Sequence, residues 1–270
     1  MKRAEKTYIQ RITSRIRSFR YSWKPFYRHC GLNRFDHPVH ANANVPTIDA
    51  RIAISHANRF LFVRIPKCAN TTILSTLWLC ENGMSPEDLA SLPAQEQKKM
   101  MRKQNMMQLF SRPSELSSSA AQTVLKKYCK AVIVRNPFSR AASAYLHKFR
   151  NGNAAQKFGL PSNLSFAGFC DYLRDGGLHD DIHWMPQSHI CPLPPGTMDF
   201  IGKMENLAID LPRLTNIVYG RSATIFTRQH HTTQANNHLR ELYGTHEKRR
   251  VAELYAEDFT CFGYQPDKLS

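Results

Sequence analysis

"FLFVRIPKCANTTILSTLW", residues 60–78, decides how this chain folds. It opens on bulky apolar residues and turns at Ile65-Pro66-Lys67. It then passes through Cys68, Ala69 and Asn70 to Thr71 and Thr72, and on into a second apolar stretch. An apolar run stopped by proline reads as a buried strand, Phe60–Ile65, with a helix over Thr71–Leu79 after the turn. A strand that delivers a lysine and a short polar loop onto a helix start is suited to hold an anion. Unbonded N–H groups and the positive end of the helix dipole meet at that turn. The small residues 68–70 let a ligand approach the main chain, while Lys67 adds charge and Thr71 and Thr72 add hydroxyl donors. The glycines of a GxxxxGK[ST] loop are absent, which counts against a nucleoside triphosphatase.

The stretch "KAVIVRNPFSRAASAYLHKF", residues 130–149, has the same plan. Ala131–Val134 is a compact apolar strand, Arg135 to Phe138 its exit, and Ser139–Phe149 a helix. Two such units predict parallel strands with crossover helices, an α/β sheet whose ligand lies at the carboxyl ends of its strands. Ile52–Ile54 and Phe200–Met204 read as further strands, 166–175, 205–218 and 235–257 as helices, and 25–50 as a loop. The stripe Met100, Met101, Met106 and Met107 reads as core filler. The expected architecture is a P-loop-like parallel sheet flanked by helices, one domain over 46–265. A basic extension, 1–45, precedes it and a short tail, 266–270, follows.

With 270 residues, 42% hydrophobic and 21% charged, the chain can bury a sizeable core. Its net charge of +16 is unusual and implies an anionic partner. Residues 1–30 hold nine Lys/Arg against one acid, Glu5, and Ile9, Ile12, Ile16, Phe19 and Trp23 fall on one helical face. Such a helix over 1–24 can rest on an anionic membrane, grip an acidic glycan or dock on the body of the protein. No segment reaches the roughly 18 to 20 apolar residues of a membrane span, and no apolar secretory signal is seen. Seven scattered cysteines without a CxxC suggest reduced thiols. These features lead us to expect a cytoplasmic protein with peripheral membrane contact.

The two strand–turn–helix units together resemble a known family. Pro66-Lys67-Cys68-Ala69-Asn70-Thr71-Thr72 is similar to the Pro-Lys-x-x-x-Thr loop of sulfotransferases. That loop binds the 5′-phosphosulfate of 3′-phosphoadenosine 5′-phosphosulfate (PAPS). The segment from Arg135 to Tyr145 resembles their Arg-(Asp/Asn)-Pro-(Phe/Tyr)-x-Arg-x-x-Ser-x-(Phe/Tyr) motif, which holds the 3′-phosphate. Two later blocks, "DIHWMPQSHICPLPPGTMDFIGKMENL" at 181–207 and "LYAEDFTCFGY" at 254–264, narrow the likeness to carbohydrate sulfotransferases of the chondroitin/dermatan 4-O type. The resemblance implies sulfuryl transfer from PAPS to a sugar hydroxyl, on an anionic glycan, a lipid-linked sugar or a small glycoside. Members of that family are usually Golgi proteins with a membrane anchor, and they often carry a second Cys shortly after the one matching Cys191. Here Pro194 and Pro195 stand nearby instead.

The implied roles can be written residue by residue. Lys67 stabilises the leaving phosphate, with Cys68, Ala69, Asn70, Thr71 and Thr72 cradling the phosphosulfate; the threonines serve equally as helix caps. Arg135 and Ser143 suit the 3′-phosphate. Arg140 reads either as a further contact or as a surface ion pair. The base must titrate near neutrality and reach the acceptor hydroxyl, which points to His183, with Glu205 the runner-up and His56 third. His183 reads as well as a structural residue of an irregular loop, and Glu205 as an anchor. No metal is expected, because the spacing of His183, His189 and Cys191 fits no zinc pattern. The basic residues cluster in the tail and match no nucleic-acid-binding fold, so nucleic acid is not an expected partner.

Overall fold

The structure, a computed structural model, describes residues 26, 45–150, 154–226 and 235–269. Four strands form one sheet in the order β1 (Ile52–Ser55), β2 (Phe60–Val63), β3 (Cys129–Val134), β4 (Phe200–Lys203). β2, β3 and β4 are parallel, so the doubled strand–turn–helix plan places the ends of β2 and β3 side by side. β1 departs from the parallel pattern. It runs antiparallel to β2, with Ile52 opposite Val63, because only four residues connect the two strands, too few for a crossover.

Both faces of the sheet are covered, which is why its strands are nearly continuous apolar runs. On one face Ala53, Phe60, Phe62, Ala131, Ile133 and Phe200 pack against α1 (Asn70–Glu81). Met101 and Met106 are buried in the same cluster, as core filler should be. On the other face Ile52, Ile54, Leu61, Val63, Val132 and Val134 meet Ala121 and Val124 of α2 (Ser118–Lys127), together with Ile182, Met185 and Ile190. A third cluster joins α3 (Pro137–Tyr145) and α4 (Phe166–Arg174) to the C-terminal helices around Trp184.

Several predicted boundaries shift for local reasons. α3 begins at Pro137, where the Asn136 side chain accepts the Phe138 N–H at 2.9 Å and caps the first turn. The predicted helix to Phe149 ends at Tyr145 and widens into a π turn, Leu146–Arg150. Three helices occupy most of 205–257 beyond a 3₁₀ turn at Met204–Asn206: α6 (Leu207–Tyr219), α7 (Ala235–Leu242) and α8 (Thr245–Leu254); α5 is the short Gln187–Ile190 turn before them. The single helix expected over 235–257 is interrupted because Gly244, in extended backbone, caps α8. A final helix, α9, spans Ala256–Phe262. Val45–Asp49 is helical rather than loop. The amphipathic stretch 1–24 lies outside the described residues.

Candidate active site

The loop between β2 and α1 carries unusual backbone. Lys67 has φ 71° and Ala69 φ 52°, left-handed conformations that side chains with a Cβ rarely adopt. Such positions persist where surrounding contacts fix them, and they concentrate at ligand sites. Here Ala69 is the N-cap of α1 and supplies no side-chain cap, so the first N–H groups of the helix are left to a ligand or water. The Asn70 side-chain oxygen is buried with no hydrogen-bond partner among the described residues. Thr71 is exposed and Thr72 half-buried. Cys68 points the other way. Its fully buried thiol lies 3.3 Å from Gln187 Oε1, and burial pushes its pKa up to about 12, so only its main chain can meet a ligand.

β3 brings Arg135 to this loop. The guanidinium Nη1 donates to Lys67 O at 3.2 Å, and burial lowers its pKa from the usual arginine value. The Arg135 peptide is gripped by Gln187, whose Oε1 accepts its N–H at 2.9 Å and whose Nε2 donates to its carbonyl at 2.8 Å. Asp258 of α9 accepts the Gln187 and Ser188 N–H groups at 2.8 and 2.7 Å. Ser143 lies two turns into α3 and is only 2% exposed. Burial, followed by the nearby Arg135, Lys148 and Arg140, draws the Lys67 ammonium down to about 8.

His183 shares one neighbouring cation, Lys148, with Lys67. Its Nδ1 is 2.5 Å from Asp181 Oδ1, and the same oxygen accepts the His183 N–H at 2.9 Å. A carboxylate on Nδ1 fixes the ring and leaves Nε2 as the basic nitrogen, with no hydrogen-bond partner among the described residues. Burial lowers the His183 pKa despite the upward pull of Asp181. Burial alone would raise Asp181, but the two hydrogen bonds from His183 prevail and hold it at about 2. The His147 ring, on the π turn, lies 6.1 Å from that of His183, and its pKa is lowered by burial and then by Lys67.

Glu205 reaches the site from the far side of β3 and is fully engaged. Oε1 accepts the Asn136 N–H at 2.8 Å and Oε2 the Tyr264 hydroxyl at 2.9 Å. This is the arrangement of a brace. His56 pairs with the Tyr128 hydroxyl at 2.9 Å. Arg140 is no surface ion pair; it is 1% exposed and bonds only main-chain carbonyls.

Two strand ends are thus joined through a buried arginine, with a lysine and a carboxylate-held histidine nearby. A profile described as "Sulfotransferase family" matches residues 50–265. The chain belongs to the sulfotransferase family. Similar relatives include carbohydrate sulfotransferase 12 of Xenopus laevis, 24% identical over 89% of this chain and 67% of the relative. The Mus musculus protein of that name is 24% identical over 77% of this chain and 59% of its own. Carbohydrate sulfotransferase 14 of Danio rerio is 24% identical over 87% and 68%. The chain therefore spans about three fifths to two thirds of the length of these relatives. No solved structure matches the chain significantly.

These relatives overturn the expected cytoplasmic location. They are carbohydrate sulfotransferases, the class whose members are usually anchored in the Golgi membrane, and the scattered cysteines do not outweigh that kinship. Among the described residues no helix is long and apolar enough to cross a membrane.

Sequence reasoning assembled Lys67, Arg135 and His183 but missed what holds them. Asp181, Gln187 and Asp258 lie inside the stretches quoted above, yet nothing in their spacing says that they bond a histidine ring, an arginine peptide and a helix start. Among the described residues no group of three or more His, Cys, Asp or Glu side chains could hold a metal ion. His189 bonds His179 at 2.8 Å and Glu257 at 2.9 Å, away from His183.

Proposed function

We propose that this sulfotransferase moves the sulfuryl group of PAPS to a hydroxyl of a carbohydrate, in the manner of chondroitin/dermatan 4-O enzymes. The observation that carries the reading is the contact of Arg135 Nη1 with Lys67 O, 3.2 Å apart across the adjacent ends of β3 and β2. One bisphosphorylated nucleotide can bridge these turns, its 5′ end over α1 and its 3′-phosphate by Arg135. The residues fit such a donor: a helix start without a side-chain cap and two cations, Lys67 and Arg135. PAPS supplies an activated sulfuryl group on a phosphate leaving group.

The chain's own residues do the rest. Transfer of this kind is loose, so positioning and charge stabilisation dominate. Lys67, protonated at neutral pH, neutralises charge on the departing phosphate. The first N–H groups of α1, with Thr71 and Thr72, hold the phosphosulfate. Arg135 and Ser143 fix the 3′-phosphate. His183 Nε2 takes the proton from the acceptor hydroxyl, and Asp181 stabilises the imidazolium that forms. Glu205 braces the Arg135-Asn136 turn.

A screen of glycan acceptors with radiolabelled PAPS tests the reading. Label is expected in a saccharide. Label in none, together with no binding of adenosine 3′,5′-bisphosphate, would remove it.

A further inference from the structure

Arg140 sits one helical turn beyond the Arg135 corner and is 1% exposed. A side chain of this kind is expensive to bury and is retained where each of its nitrogens finds an acceptor. Nε donates to Pro66 O at 3.0 Å, Nη1 to Met185 O at 2.7 Å and Nη2 to Ile182 O at 3.1 Å. Pro66 immediately precedes Lys67, and Ile182 and Met185 bracket His183. One planar group therefore joins two loops more than a hundred residues apart. Among the described residues its hydrogen bonds go to main-chain carbonyls and none to a carboxylate, so its place in the motif is not that of an anion ligand.

We propose that Arg140 is a positioning residue that sets the separation between Lys67 and His183, making the cation at the leaving group and the base at the acceptor a single unit. The inference rests on the roles proposed above for those two residues. Sulfuryl transfer needs the incoming hydroxyl and the departing oxygen in line. An error of about 1 Å in either loop can cost about 10²-fold in rate. A main-chain tether serves this better than an ion pair, because three fixed donors on a plane define direction as well as distance.

The deciding variant is Arg140→Lys, which keeps the charge and loses the fork. Expected is a fall in kcat of about 10²-fold, with the PAPS KM changed by less than about threefold. Amide hydrogen exchange should rise about tenfold in both 67–70 and 181–185, and stay unchanged in β2 and β3. In Arg140→Ala, guanidinium ion added to solution should recover part of kcat, whereas ammonium should not. Parental kcat in Arg140→Lys, or exchange that rises in one loop alone, would overturn the proposal. A parent protein that transfers no sulfate would sink the functional reading instead, and the exchange measurement would still judge the tether.

Discussion

At the residue scale the proposed site is governed by two groups whose pKa values burial draws downward, Lys67 and His183. Lys67 titrates at about 8, so it is charged at pH 7 and loses its charge as pH rises through that value. Affinity for adenosine 3′,5′-bisphosphate should therefore decline between pH 7 and 9, and calorimetric titration of Lys67→Ala should show no such decline. The same substitution should lower kcat by about 10²- to 10³-fold. His183 is drawn below its ordinary 6.5, which leaves it neutral and basic at physiological pH. The acidic limb of kcat/KM should fall below 6.5. Because Asp181 pulls the histidine upward, Asp181→Asn should move that limb further into acid and reduce kcat by about 10²-fold. Arg135→Ala should raise the KM for PAPS far more than that for the acceptor, as steady-state kinetics can show. Lys67 was legible because proline, lysine and small residues at a strand exit carry a local signal. Asp181 was less so, since a carboxylate two positions before a histidine acquires meaning only from the turn that folds it back.

At the scale of elements, the corner that follows β3 is held from behind. Asp258 caps α5, and α5 in turn presents Gln187 to the Arg135 peptide. Replacing Asp258 with alanine leaves two buried N–H groups without their acceptor, at a cost of about 1–3 kcal/mol each. Chemical denaturation should show the loss as a lower midpoint at constant slope. The β2–turn–α1 and β3–turn–α3 units were readable from hydrophobic runs and prolines alone. The direction of β1 was not, because pairing is a property of two strands, and a four-residue strand has no signature of orientation. Nor did the apolar pattern over 235–257 disclose its interruption at Gly244, where a cap replaces a continuous ladder.

For the whole molecule, the αβα layering leaves one edge of the sandwich, where β2 and β3 end, to hold the chemistry. A ligand that bridges both ends should stabilise the entire fold. Adenosine 3′,5′-bisphosphate is expected to raise the melting temperature, by about 2.7 kcal/mol of stability at a hundred times its Kd, while ATP and oligonucleotides leave it unchanged. Scanning fluorimetry suffices to check this. Fold class could be read from four ordered blocks, and so could the residues proposed here for the donor half of the site. The surroundings of His183 could not, since they belong to the irregular segment 176–198, whose course is set by contacts with Arg140, the Arg135 peptide and the final helix and by no periodicity of its own.

The placement of that final helix bears on how the protein matures. Tyr255 donates to Trp184 O, Asp258 fixes α5, and Tyr264 holds Glu205, so residues at 255–264 lock parts that were synthesised far earlier. A chain that lacks this decad would keep every residue proposed to touch substrate and yet lose the braces behind them, so the site should be complete only once this segment has docked.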